Sequence, residues 1–282
     1  MYLTNPLTGW DPAKNEKQFR IALPELQQEA EAARHVKRDE RIVVILGNPP
    51  YDGYAGLNAV GSEEDKLADA YRAPRRTAPR QGQGLNDLYV RFFRMAERQI
   101  AERTRHGLVC FVANYSWLDG LSHPGMRERF LESFDGIWID NLNGDKYATG
   151  KTTPDGRPDP SVFSTPFNRE GIQVGAAVAL MLRRETPTAP APLFGDALPD
   201  LRPHALVHYR DFWGKDKRAE LAAIAEAAEP TAGPAYHLLL PNPALGLPFK
   251  PRAVEDEYLT WPTLPQVFPA SFSGVQTKAM SW

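Results

Sequence analysis

The chain has 282 residues, 42% of them hydrophobic, and a formal net charge of −2. That length can bury a full core, and the near-neutral charge leaves no global footprint for nucleic acid, so such a role must rest on local basic patches. A single cysteine, Cys110, excludes an intrachain disulfide framework and a zinc–cysteine cluster and fits a reducing cytosol. The start, MYLTNPLTGWDP, lacks the charged and apolar regions of a secretory signal. No apolar run reaches the roughly 18 residues of a membrane span. A soluble, cytoplasmic protein is expected.

Residues 1–5, MYLTN, read as the tail of a strand entering a loop. Residues 24–40 are helix-forming in type, with Pro24 tolerated near a helix start. Ile42 to Leu46 is a β-type apolar run that predicts a buried strand, stopped abruptly by Gly47-Asn48-Pro49-Pro50-Tyr51. Residues 52–86 form a long polar loop carrying Arg72, Arg75, Arg76 and Arg80. In the next segment Leu88, Phe92, Met95, Ala96 and Gln99/Ile100 recur at helical spacing. Asn86 or Asp87 can cap that helix and Gly107 can stop it. GLVCFVANYSWL predicts a buried strand with its loop, HPGMRERFLESF a short helix, and GIWIDNL another strand. Residues 143–171 form a second long polar loop. IQVGAAVALMLRR is strand-like, and a Pro/Ala-rich connection leads to a strand in ALVHYRDFWG and a helix in KDKRAELAAIAEAAE. After Pro230 the chain is Pro-rich and without clear period. Alternating strands and helices over roughly residues 1–228 predict an α/β layered sheet with possible antiparallel additions.

In open α/β sheets, ligands bind beyond the carboxyl ends of the strands, which is where GNPPY falls. Asn48 offers a side-chain carbonyl that can accept from an exocyclic amino group. The prolines remove two N–H donors and fix φ near −65°, so the Pro49 carbonyl can point at the same amine. Tyr51 supplies a flat face for stacking. An amine held by two acceptors directs its lone pair outward, and no strong general base is needed if the electrophile is a sulfonium methyl group.

Asn48-Pro49-Pro50-Tyr51 after an apolar strand resembles motif IV of the DNA amino-methyltransferases, especially the N6-adenine branch. Together, YLTNPL, RIVVILGNPPYDGYAG, DNLNGDKYATGK, DPSVFST, REGIQVGAAVALMLRR and LPQVFPASFSGVQTK resemble the methyltransferase region of the single-chain Type ISP restriction–modification enzymes over nearly the whole chain. The resemblance implies a partial Rossmann-like S-adenosylmethionine-dependent methyltransferase fold, with a mixed, mostly parallel sheet and flanking helices. Residues 1–228 would be the catalytic core and 229–282 the start of a target-recognition region. It implies methyl transfer to N6 of an adenine flipped out of double-stranded DNA, where contacts to the base offset the cost of extrusion. Asn48 and the Pro49 carbonyl would hold N6, Pro50 would stiffen the turn and Tyr51 would stack on the base. Phe163 or Phe167 would supply a second face. Asn5 and Asn48 would lie toward the cofactor, S-adenosylmethionine, and Arg72, Arg75, Arg76 and Arg80 would meet DNA phosphates.

The sequence departs from that pattern toward both ends, stopping at Trp282 soon after FSGVQTK, where the family continues into its target-recognition region. The family's Gly-x-Gly cofactor turn should precede motif IV, and none lies before Asn48; Gly82-Gln83-Gly84 follows no strand, and Gly53 and Gly56 lack the spacing. A chain cut at both ends is therefore expected, with weak cofactor binding and little activity by itself. No Walker phosphate loop appears. Two other functions stay open: methylation of a protein glutamine, whose planar amide poses the same geometric problem, and an inactive DNA-binding remnant. The arginine run also reads as a solvated loop. Tyr115 and Trp117 read as packing residues, Cys110 as core, and Asp140 and Asp145 as solvated loop carboxylates or substrate contacts. The six histidines show no metal-ligand spacing.

Overall fold

A computed structural model describes residues 2, 4–10, 23–51, 63–78, 83–185, 205–227 and 233–270. The chain divides into two units, Met1–Lys250 and Pro251–Trp282. In chain order the elements are α1 (Pro24–Asp39), β1 (Val44–Gly47), α2 (Glu63–Lys66), α3 (Leu88–Glu97), β2 (Gly107–Asn114), α4 (Pro124–Ser133), β3 (Gly136–Asn141), β4 (Ala176–Arg183), β5 (Leu206–Asp211), α5 (Lys217–Glu226), β6 (His237–Leu239) and α6 (Leu264–Val267). Described by itself, the second unit holds a 3-10 turn at Asp256–Thr260 and the one-turn α6, opened by a Thr263/Gln266 capping box.

Six strands form one sheet in the order β1-β2-β4-β3-β5-β6. β1 runs parallel to β2 and β3 runs parallel to β5. β4 is antiparallel to both β2 and β3, and β6 is antiparallel to β5. Four of the six strands (β1, β2, β3 and β5) therefore point the same way, as a mixed, mostly parallel sheet requires. Their carboxyl ends share one edge. The architecture is mixed α/β and fits a Rossmann-like fold.

Strand alternation divides the two faces. One row across the sheet is Ile45, Val109, Met181, Ile137, Val207 and Leu239. Its four central members are buried in the main core, packed with the aromatic residues of α3 and α4. The neighbouring row is Leu46, Cys110, Leu180, Trp138, His208 and Leu238, on the opposite face and only partly covered. Cys110, expected in the core, is half-buried there, because its neighbours Val109 and Phe111 take the core positions. The run Ile42–Leu46, expected to be a buried strand, is instead an edge: among the described residues β1 pairs only with β2, leaving Val44 49% and Leu46 69% exposed. The strand tail expected at residues 1–5 lies partly outside the described residues; residues 6–9 form a turn, and Lys37 Nζ donates to Thr4 Oγ1 and to the Asn5 and Thr8 carbonyls.

α3 is buried almost all round because two clusters flank it. Tyr89, Val90, Phe93, Ala96 and Ile100 face the sheet. The predicted stripe of Leu88, Phe92 and Met95 faces a smaller cluster with Leu7, Trp10 and Leu67. A π-helical stretch, Arg98–Thr104, extends α3. The helix ends at Arg105 in left-handed conformation, not at Gly107. Gly107 serves a different need: a Cβ there would lie 2.2 Å from the Val43 carbonyl oxygen, so only glycine lets β2 begin against β1. Phe93 meets Phe111, Trp117 and Phe130 at ring-centroid distances of 5.1, 5.2 and 5.5 Å. Such pairs add about 0.5–1.5 kcal/mol each beyond area burial.

His123 precedes α4, buried with its Nε2 3.0 Å from Tyr89 Oη. Burial, with the Arg127 guanidinium adding to it, lowers its pKa from 6.5 to about 4. The unfolded chain takes up a proton in that window that the folded chain resists, so stability held above pH 6.5 is lost as pH falls toward 4. The thermal midpoint, followed by circular dichroism, is expected to drop through this window, and His123→Gln is expected to flatten the drop.

Candidate functional site

The carboxyl ends of β1, β2, β3 and β5 carry a polar rim. At β3 and β5, Asn141 Nδ2 shares its two N–H donors among three acceptors, Tyr209 Oη and Asp211 Oδ1, each at 2.8 Å, and Asn143 Oδ1 at 2.9 Å. Asn143 Nδ2 donates to the same Asp211 oxygen at 3.0 Å. Loop 143–175 rises from this rim and is organised by two buried carboxylates. Asp145 accepts from the N–H groups of Tyr147, Ala148 and Gly175. Asp159 accepts from those of Gly144 and Gly214 and pairs with Lys217 at 2.7 Å. Asp145 is thus a loop organiser, not the solvated carboxylate expected. Asp140 is engaged as well, with Arg210 at 2.6 and 3.0 Å and with the Tyr236 hydroxyl at 2.7 Å.

Asn48 follows directly on β1. Its side chain is exposed and makes no hydrogen bond among the described residues, so its amide stands unengaged at the rim. Pro49 is buried and Pro50 exposed. Tyr51 is half-buried in an apolar cluster built on Leu142, Ala176 and Phe212. Its ring meets Phe163 edge-on, with centroids 5.7 Å apart and planes at 73°. Its hydroxyl is buried without a hydrogen-bond partner among the described residues, and burial pushes its pKa up. A buried polar atom left unsatisfied is uncommon in a native fold.

Of the two ring candidates, Phe163 is brought against Tyr51, while Phe167 is fully exposed. The Asn5 side-chain oxygen accepts from the Leu7 N–H at 2.9 Å, which leaves its amide nitrogen to offer. Arg72 bonds Asn86 and pairs with Asp69. Arg75 pairs with Glu132 of α4 at 2.6 Å. The backbone N–H groups of Arg75 and Arg76 both donate to Glu128. Arg75 and the Arg76 backbone are thus anchored against α4, while Arg72 is held by Asn86 and Asp69; Arg80 lies outside the described residues. Tyr115 and Trp117 are buried packing residues, as read, and Lys250 Nζ lies 3.7 Å above the Tyr115 ring centroid. Among the described residues no three His, Cys, Asp or Glu side chains converge as a metal set, and no helix is long and apolar enough to cross a membrane. Sequence reasoning missed the Asp159–Lys217 pair. The turn dipeptides Asn143-Gly144 and Asp159-Pro160 were the available sign that loop 143–175 is folded.

Neither a protein-family model nor a curated protein matches the chain. Solved structures do. The ATP-dependent Type ISP restriction–modification enzyme LlaBIII bound to DNA matches with a TM-score of 0.60 at 19% identity, over 86% of this chain and 15% of that one. A nuclease-deletion mutant of the Type ISP enzyme LlaGI, in complex with a DNA substrate mimic, gives 0.60 at 20% identity, over 84% of this chain and 20% of that one. The DrdV–DNA complex gives 0.54 at 22% identity, over 79% and 19%. At these identities the likeness establishes a shared fold. The chain spans at most 20% of the length of each of these three chains.

Proposed function

We propose that this chain works in a DNA restriction–modification system, as the part of an adenine-N6 methyltransferase that holds the target base. Asn48 carries the proposal: an unengaged amide at the carboxyl end of an edge strand, followed by two prolines and an aromatic ring. Its side-chain carbonyl and that of the Pro49 backbone would accept from the exocyclic amine, and Tyr51 would take the base plane. A base against Tyr51 would meet the edge of Phe163, given the perpendicular setting of the two rings. The solved structures of like fold are restriction–modification enzymes in complex with DNA, which supports DNA as the partner.

S-adenosylmethionine, when bound, supplies a methyl group on a sulfonium centre. Two acceptors that orient an amine would suit such a partner. Asn48, at the end of β1, is the residue of this chain that would border it, with the Asn5 amide nitrogen, which has no hydrogen-bond partner among the described residues, as a second candidate. The protein contributes position and electrostatic orientation.

The test incubates the chain with tritiated S-adenosylmethionine and mixed-sequence duplex DNA, with protein substrates in a parallel arm. Label recovered from the DNA as N6-methyladenine, low in amount because no Gly-x-Gly cofactor turn precedes Asn48, is the expected result. Label on protein glutamine, or DNA binding with no transfer, replaces this reading with one of the two alternatives.

A further inference from the structure

We propose that the first turn of α5 sets the Phe163 ring against Tyr51, with Lys217 and Arg218 as positioning residues of the pocket wall. That this wall serves a base rests on the function proposed above; the grip itself does not. Lys217 and Asp159 are both almost wholly inaccessible. Lys217 Nζ donates to Asp159 Oδ1 at 2.7 Å, to the Leu142 carbonyl at 2.6 Å and to the Pro160 carbonyl at 3.0 Å. An ammonium has three N–H donors, so all are used within the fold and none remains for a ligand. Arg218 Nε and Nη2 both donate to the Val162 carbonyl, at 3.0 and 2.8 Å. One helical turn thus fixes residues 159, 160 and 162, immediately before Phe163.

Two observations point to position rather than bulk stability. A buried ion pair contributes little net stability compared with an apolar pair of equal volume, so the three directed bonds of Lys217 to residues 142, 159 and 160 act here on position. Packing holds the loop on one side only: Val162 and Phe163 lie against the Leu142, Ala176 and Phe212 cluster, while a cavity of about 180 Å³, lined by Ser161, Val162, Ser164, Lys215 and Arg218 among others, lies beside it. With the grip cut, residues 160–164 have room to shift and carry Phe163 off Tyr51.

The experiment labels the full chain with 4-fluorophenylalanine and assigns the Phe163 fluorine resonance by its loss in Phe163→Leu. Tyr51→Leu gives the position of that resonance without its ring partner. The double variant Asp159→Asn/Lys217→Met, which removes both charges, is expected to move the signal to the Tyr51→Leu position. Arg218→Ala, at an exposed side chain, is expected to move it part of the way with an unchanged thermal midpoint. A Phe163 resonance that stays at its wild-type position in Arg218→Ala and in the folded double variant overturns the proposal, as does one indifferent to Tyr51→Leu. If the double variant does not fold, Arg218→Ala decides. No DNA or methyl donor is involved, so a failure here is distinct from failure of the methyltransferase reading, which is absence of transfer by the wild-type chain. Where transfer occurs, Arg218→Ala is expected to slow it, by up to about 100-fold for a displacement of about 1 Å, at unchanged DNA affinity. A loss accounted for by weaker DNA binding counts against positioning.

Discussion

Asn48→Ala is expected to leave the fold intact and to slow methyl transfer by about 10²–10³-fold, the usual cost of deleting one preorganised polar group that acts on the reacting centre. The two halves of that expectation have separate physical sources. The Asn48 side chain is exposed and bonded to nothing among the described residues, so its removal costs no packing and orphans no partner. Its proposed task lies in orienting an amine lone pair, which alanine cannot do. Single-turnover measurements with the chain in excess over DNA isolate this step from product release and remain usable when turnover is slow. Asn48→Asp offers a second comparison, because it keeps an acceptor but brings a negative charge to the amine. A rate within about threefold of wild type in Asn48→Ala, far inside the range for such a deletion, would remove Asn48 from the mechanism.

Glu97→Gln is expected to destabilise the first unit by about 3–5 kcal/mol, the range for removing one partner of a buried charge network. Glu97 is fully inaccessible and ties three elements together. It accepts from the Tyr71 hydroxyl at 2.8 Å, from Arg129 Nε of α4 at 2.9 Å and from Ser133 Oγ at 2.8 Å, and it pairs with Arg94 of its own helix at 3.1 Å. Glutamine preserves the shape but leaves the Arg94 and Arg129 guanidiniums facing a neutral amide. Both also reach Glu102, at 2.7 and 2.8 Å, which places the loss toward the lower end of the range. A domain of this size loses about 2–4 °C per kcal/mol, so the thermal midpoint is expected to fall by roughly 6–12 °C. Adding Arg94→Met should recover part of that fall by removing a stranded charge. A shift of a degree or two would mean that solvent reaches this network more freely than its burial indicates.

Much of the frame was legible because period and punctuation agree in it. α1 begins at the Pro24 that marks it, and β2, β3 and β5 each fall within a short apolar run ahead of a polar break. The exceptions share one cause, the identity of the neighbour. Val44 and Leu46 look like interior residues by composition, yet a strand is buried only if something lies on both of its sides. Along α3, the stripe of Leu88, Phe92 and Met95 is real, but it faces the N-terminal turns, and the sheet is met by Tyr89 and Phe93 one position further on. The site was legible where a rare tetrapeptide carries its own conformation, as Asn48 to Tyr51 does. It was illegible where partners lie far apart in the chain: Asp159 meets Lys217, and Tyr51 meets Phe163, only through the folding of loop 143–175.

The half-covered row of the sheet has a practical use. Cys110 sits in it between Leu46 and Leu180 and carries the chain's one thiol. Burial, with Asp140 adding to it, raises the pKa of that thiol, which slows its alkylation near neutral pH. The labelling rate of a single sulfur then works as a footprint: whatever settles over Leu46 and Leu180 announces itself as protection at Cys110, with no probe added to the sequence.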